Sequence, residues 1–156
     1  MKVLVICDVQ RSIIEDSRSD CIDTYNKCVD YANHAKENGY DKVIAGISLD
    51  MKTGDKVDKM LKWEDNSDLC KLEFSPDLVY VHSGYLVDCV GNVDEFDTID
   101  IIGFNSDTII TSTCFAMFEE AFDGRIIPNL MNSTNGTDFH FAALKILARH
   151  FDMVVR

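Results

Sequence analysis

The chain has 156 residues, 46% of them hydrophobic, which suits one folded domain around one core and excludes intrinsic disorder as the expected state. Twenty-seven acidic residues against 15 basic ones give a formal charge of −12, which repels phosphate backbones and anionic bilayers, so neither nucleic acid nor a membrane surface is an expected partner. No apolar run approaches the ~20 residues that span a bilayer, and the six cysteines are scattered without a CxxC pair, which favours a reducing, cytoplasmic setting over a disulfide framework.

The first element is KVLVIC, residues 2–7, a continuous apolar run of strand length. Such runs mark strands buried on both faces. A charge at Asp8 ends it, so MKVLVICDVQ reads as a strand rather than a leader. A helix follows. Ser19 or Asp20 is placed to cap it, Ile22, Tyr25, Val29 and Ala32 recur at helical spacing, and Gly39 is placed to end it.

DKVIAGISL, 41–49, is a second strand, and DKVDKMLKW, 55–63, a short helix within a polar stretch that runs to Ser75. DLVYVH, 77–82, is a third strand, LVDCVGNVDEF, 86–96, a weak helix, and TIDIIGF, 98–104, a fourth strand. TIITSTCFAMFEEAF, 108–122, is a helix closed by Gly124. RIIPNL, 125–130, is a fifth strand, in which Pro128 calls for an edge or an irregularity. TDFHFAALKILARHF, 137–151, is an amphipathic helix carrying both His140 and His150, and FDMVV, 151–155, a last strand. Strands alternating with helices predict a parallel sheet covered on both faces, a three-layer α/β/α domain over residues 1–156. Ligands of such sheets bind beyond the carboxyl ends of the strands.

Three strand ends carry chemistry. Asp8 closes the first strand, where a carboxylate is costly unless it is paired or serves the crevice. Cys7 then points to the opposite face and belongs to the core. His82 closes the third strand and Asp50 the second. Asn105, Ser106 and Asp107 lead into the fourth helix, whose first N–H groups are suited to an anion or simply to an N-cap. The four histidines show no ligand-like spacing, so no metal site and no cofactor is expected.

The ordered set of these segments resembles the isochorismatase-like cysteine hydrolases, the superfamily that includes nicotinamidases. VICDVQ, 5–10, is similar to that family's opening strand with its catalytic Asp and following Gln. DLVYVHSGY, 77–85, is similar to the strand with the catalytic Lys, IIGFNSDTIITST, 101–113, to the segment G-x-x-T-D-x-C-V-x-x-T, and HFAAL, 140–144, to a late H-x-x-A-L helix. The resemblance implies a three-layer fold with a mainly parallel sheet, assembly as a homo-oligomer (dimer or tetramer), and an Asp-Lys-Cys triad in which a thiolate attacks a carbonyl or imine carbon.

Carried over by position, the triad becomes Asp8, His82 and Ile109, so two of its three members are replaced. The family's metal ligands are also missing, since Asp50 is followed by Met51 and Lys52. Cys114 stands five residues past the nucleophile position, about 7.5 Å of rise and about 140° of rotation along a helix, and far from the N-terminus that would activate a thiol. Losing a covalent nucleophile costs on the order of 10⁴–10⁶ in turnover.

The leading expectation is therefore a catalytically degenerate relative that binds a small planar or nucleotide-derived molecule. Its site would comprise Asp8, His82, Tyr85, Phe104, Asn105, Ser106, Thr108 and Ile109, with Tyr85 and Phe104 as flat walls. One alternative is a hydrolase of a small amide or ester in which Asp8 and His82 activate water or a hydroxyl of Ser106, Thr108, Ser112 or Thr113. Another is a structural oligomer subunit with a vestigial pocket.

Overall fold

A computed structural model of the chain describes residues 1–48, 71–81 and 98–155. The helices expected over 55–63 and 86–96, together with Asp50, His82 and Tyr85, lie outside the described residues.

The described strands form one six-stranded sheet: β1 (Lys2–Cys7), β2 (Lys42–Ile47), β3 (Leu78–Val81), β4 (Thr98–Gly103), β5 (Asp123–Met131) and β6 (Asp152–Met153). Their order is β3-β2-β1-β4-β5-β6, and every pairing is parallel. The helices are α1 (Arg11–Ile14), α2 (Ser19–Asn33), α3 (Thr111–Glu119) and α4 (Thr137–Leu147), with a π-type turn, Ser106–Ile110, leading into α3.

Alternation along β1 builds two cores. Val3, Val5 and Cys7 face Cys114 and Met117 of α3 and Leu147 of α4. Leu4 and Ile6 face Cys21, Tyr25, Cys28 and Ala32 of α2. The period of two in the strand thus separates the helices into layers on opposite faces, the α/β/α sandwich expected from the sequence. The buried stripe of α2 sits one residue round from the expected one: Cys21 and Cys28 are buried where Ile22 and Val29 are only partly covered. All four described cysteines are buried free thiols.

Three local expectations change. Gly39 does not end α2 directly. The helix stops at Asn33, and Gly39 takes its left-handed conformation (φ 84°) at the end of the following turns. Gly124 does not close α3. Ala121 supplies the left-handed residue (φ 60°), while Gly124 lies in β5, where a Cβ would stand 2.6 Å from Met117 Cε. His150 falls beyond the end of α4, so it shares no helix with His140.

Pro128 marks an irregularity rather than an edge, because β5 lies between β4 and β6. Between the pairs Ile101–Ile126 and Gly103–Met131 the register shifts, two steps along β4 matching five along β5. The bulge absorbs a residue that has no N–H to give to a ladder.

Candidate functional site

β1 is flanked by β2 on one side and β4 on the other, and the chain order reverses there, which makes the ends of these three strands the natural crevice of the sheet. The ends are tightly tied. Phe104 N–H donates to the Cys7 carbonyl at 2.7 Å and Asp8 N–H to the Gly46 carbonyl at 2.9 Å. Gly103 (φ 117°) admits no side chain, since a Cβ would stand 2.0 Å from the Cys7 oxygen.

Asp8 follows β1 as a buried carboxylate with φ 52°. Aspartate is among the few non-glycine residues that tolerate the left-handed region. Its carboxylate accepts the Ser48 hydroxyl, with Oγ 2.8 Å from each carboxylate oxygen. Gln10 completes the bracket: its Nε2 donates to the Ser48 carbonyl at 2.9 Å, and Ser48 N–H donates to Gln10 Oε1 at 2.8 Å. The ends of β1 and β2 are thereby joined by side chains beyond the last ladder bond. Sequence reasoning found Asp8 and noted Gln10 but missed Ser48. The signal was a hydroxyl one residue past a parallel strand adjacent to β1.

The other half of the rim is the loop after β4. The Phe104–Asn105 peptide is cis. Asn105 Oδ1 accepts Thr134 N–H (2.6 Å) and Thr134 Oγ1 (2.9 Å). Asp107 accepts Ser133 Oγ at 2.6 Å and Asn135 Nδ2 at 3.0 Å. These bonds pin the turn to the segment that follows β5. Three N–H groups at the helix start are in use: Ser106 N–H donates to the Asn132 carbonyl, and Thr108 and Ile110 N–H both donate to the Asn105 carbonyl. Neither expectation, anion cradle or N-cap, is met in simple form: these N–H groups go to backbone carbonyls, and no side chain caps the helix start, because Asn105 and Asp107 are turned to residues 133–135.

The expected site residues separate into groups. Asp8, Asn105, Ser106, Thr108 and Ile109 lie at the carboxyl ends of β1 and β4 or on the turn that follows. Thr108 is exposed, and Ile109 is partly buried against the Cys7–Cys114 core. Phe104 is fully buried in the opposite core, beside Ile6 and Ile102, so it offers no wall to the rim. Ser106 is 0% exposed, and its hydroxyl is held by His140 Nδ1 at 2.8 Å. Sequence reasoning placed His140 on the 137–151 helix, in the resemblance to a late helix and among histidines without ligand spacing, and missed this pair.

Cys114 is buried, and burial pushes its thiol up to about 12. Burial likewise raises Cys7 strongly, with the Asp8 charge adding to it. A thiol in that state offers almost no nucleophile near neutral pH. Among the described residues no group of three or more His, Cys, Asp or Glu side chains is arranged to hold a metal ion. Nor is any helix among them long and apolar enough to cross a membrane.

No protein-family model matches the sequence, and no curated protein matches it either. Solved structures do match in shape. The pyrazinamidase of Pyrococcus horikoshii, solved in complex with zinc, superposes with a TM-score of 0.74 at 12% identity, covering 99% of both chains. The fold is that of the isochorismatase-like hydrolases. An isochorismatase from Pseudomonas putida gives a TM-score of 0.72 at 12% identity, over 99% of this chain and 86% of that one. The MAR1 ribonuclease from Caenorhabditis elegans gives 0.68 at 10%, over 99% and 76%. Neighbours with such different names leave the chemistry to be argued from the site.

Proposed function

We propose that the protein is a degenerate member of this fold that binds a small planar or nucleotide-derived molecule at the strand-end rim without turning it over. The observation that carries this is Ile109. It sits on the turn at the end of β4, in the position that the family resemblance gives to the nucleophilic thiol, and packs its apolar side chain toward the core beside Cys7 and Cys114. A retained, buried and bracketed Asp8 after β1, with an apolar residue on the turn after the adjacent β4, is suited to orienting a ligand through a few polar groups over an apolar floor.

The donor set does not fit the family's metal. Asp50 is followed by Met51 and Lys52 in place of histidine, so no step is assigned to an ion. The buried free thiols support a reducing, cytoplasmic location. Phe139, Phe141 and Ile146, exposed on α4, support assembly into a homo-oligomer.

A hydrolase built on Asp8, His82 and a hydroxyl is the second reading. Thr108 and Ser112 keep it open because both are exposed, whereas the Ser106 hydroxyl is engaged and Thr113 is buried beside Cys7. The test is calorimetric titration of wild type and Asp8→Ala with nicotinamide, small amides and cyclic nucleotides. Saturable binding that Asp8→Ala weakens at least tenfold supports the proposal. Catalytic release of acid or ammonia that tracks His82 overturns it.

A further inference from the structure

We propose that His140 is a positioning residue of the strand-end site: it holds the buried Ser106 hydroxyl, fixes the turn that carries Thr108 and Ile109, and makes the order of that turn depend on pH. That the turn lines a ligand site rests on the function proposed above; the pairing and its consequence for the turn do not.

Ser106 is anchored on three sides. Its N–H donates to the Asn132 carbonyl at 3.1 Å, its carbonyl accepts Thr111 Oγ1 at 2.6 Å, and its Oγ lies 2.8 Å from His140 Nδ1. Each bond reaches a different place: the end of β5, the first residue of α3 and the first turn of α4. The hydroxyl is fully buried, and a buried hydroxyl left without an acceptor is costly. His140 is the partner that α4 supplies, and it is buried as well.

The charged groups near His140 are Asp20 of α2, Arg18 just before it and Asp107 on the turn itself. The two carboxylates already have donors: Asp20 takes Arg18 and Asn132, and Asp107 takes Ser133 and Asn135. Burial therefore governs the ring and depresses its proton affinity below the ordinary histidine value. In the neutral tautomer with the proton on Nε2, Nδ1 accepts the Ser106 O–H. Protonation turns Nδ1 into a donor. The pair then persists only with its direction reversed, Nδ1–H donating to Ser106 Oγ, and the Ser106 O–H is left without its acceptor in a buried site, which loosens the hold of α4 on the turn.

The experiment is NMR of the full chain from pH 8 to pH 4.5, following the His140 ring and the backbone amides of residues 105–111. His140→Asn places an amide oxygen near the Nδ1 position and cannot titrate. In wild type the turn amides are expected to shift with the midpoint of the ring, and their exchange protection to fall at least tenfold beyond the intrinsic pH effect. In His140→Asn the protection should persist at low pH. Turn amides that ignore the ring, or that keep the same transition in His140→Asn, overturn the proposal. Should His140→Asn fail to fold, Ser106→Ala decides: without its hydroxyl partner the neutral ring loses support, so its midpoint must rise, and an unmoved midpoint overturns the pairing. A pH-linked turn in a protein that binds none of the nicotinamide, amide or nucleotide probes would leave His140 in its role and remove the ligand reading alone.

Discussion

The Ser48 hydroxyl lies 2.8 Å from both carboxylate oxygens of Asp8, across the gap between the ends of β1 and β2. The ladder ends at Cys7–Gly46, and from there side chains hold the two strands together. Ser48→Ala leaves a buried carboxylate short of a donor. It should cost about 1–3 kcal/mol in urea unfolding and weaken ligand binding. Unchanged stability would show that the bracket is held by Gln10 alone.

The cysteines give a sharper contrast. Burial pushes the Cys114 thiol up to about 12, so it is held as the unreactive thiol near neutral pH. Cys7, Cys21, Cys28 and Cys114 should all resist iodoacetamide in the native protein and react in urea, as read by peptide mass spectrometry. An Ile109→Cys substitution should add one thiol that reacts under native conditions, because that position is only partly buried. Rapid native labelling of Cys114 would contradict its place in the core.

Stability away from the rim depends on Asp100. Arg125 binds it through Nε at 2.7 Å and Nη2 at 3.0 Å, and the Tyr40 hydroxyl donates to it at 2.6 Å. Asp100 is fully buried, while the Arg125 side chain is 26% exposed. Arg125→Met should therefore cost about 2–4 kcal/mol, less than for a wholly buried pair, because solvent screens the arginine. Chemical denaturation measures it, and a loss under about 0.5 kcal/mol would mean that Tyr40 suffices.

His140 also sets a sign for stability against pH. Its folded-state pKa is depressed, so the unfolded chain binds the proton more readily. Its contribution is present above the ordinary histidine value of about 6.5 and is lost as pH falls through the lower folded value. Thermal melts of wild type should drop more steeply than those of His140→Asn between pH 6.5 and pH 5. Parallel curves would exclude the ring as the cause.

Most of the framework was legible in the sequence because apolar runs of strand length and turn residues report local physics. β1, β2, β4 and the helices after β1 and β4 begin or end within a few residues of the expected positions. Asp8 was legible for the same reason, as a charge closing an apolar strand. The Ser48 bracket and the Ser106–His140 pair were not, because each joins residues at least 34 apart and neither partner is unusual in its own segment. Phe104 misled for a related reason: beside a site in sequence, it turns to the opposite face of the sheet and into the core.

The most direct test is native mass spectrometry of the purified protein with nicotinamide, small amides and cyclic nucleotides, followed by denaturation and weighing of what is released. Binding without turnover predicts a ligand that leaves with its mass unchanged and is absent from Asp8→Ala. Release of a hydrolysed product from wild type would contradict it and return the site to catalysis.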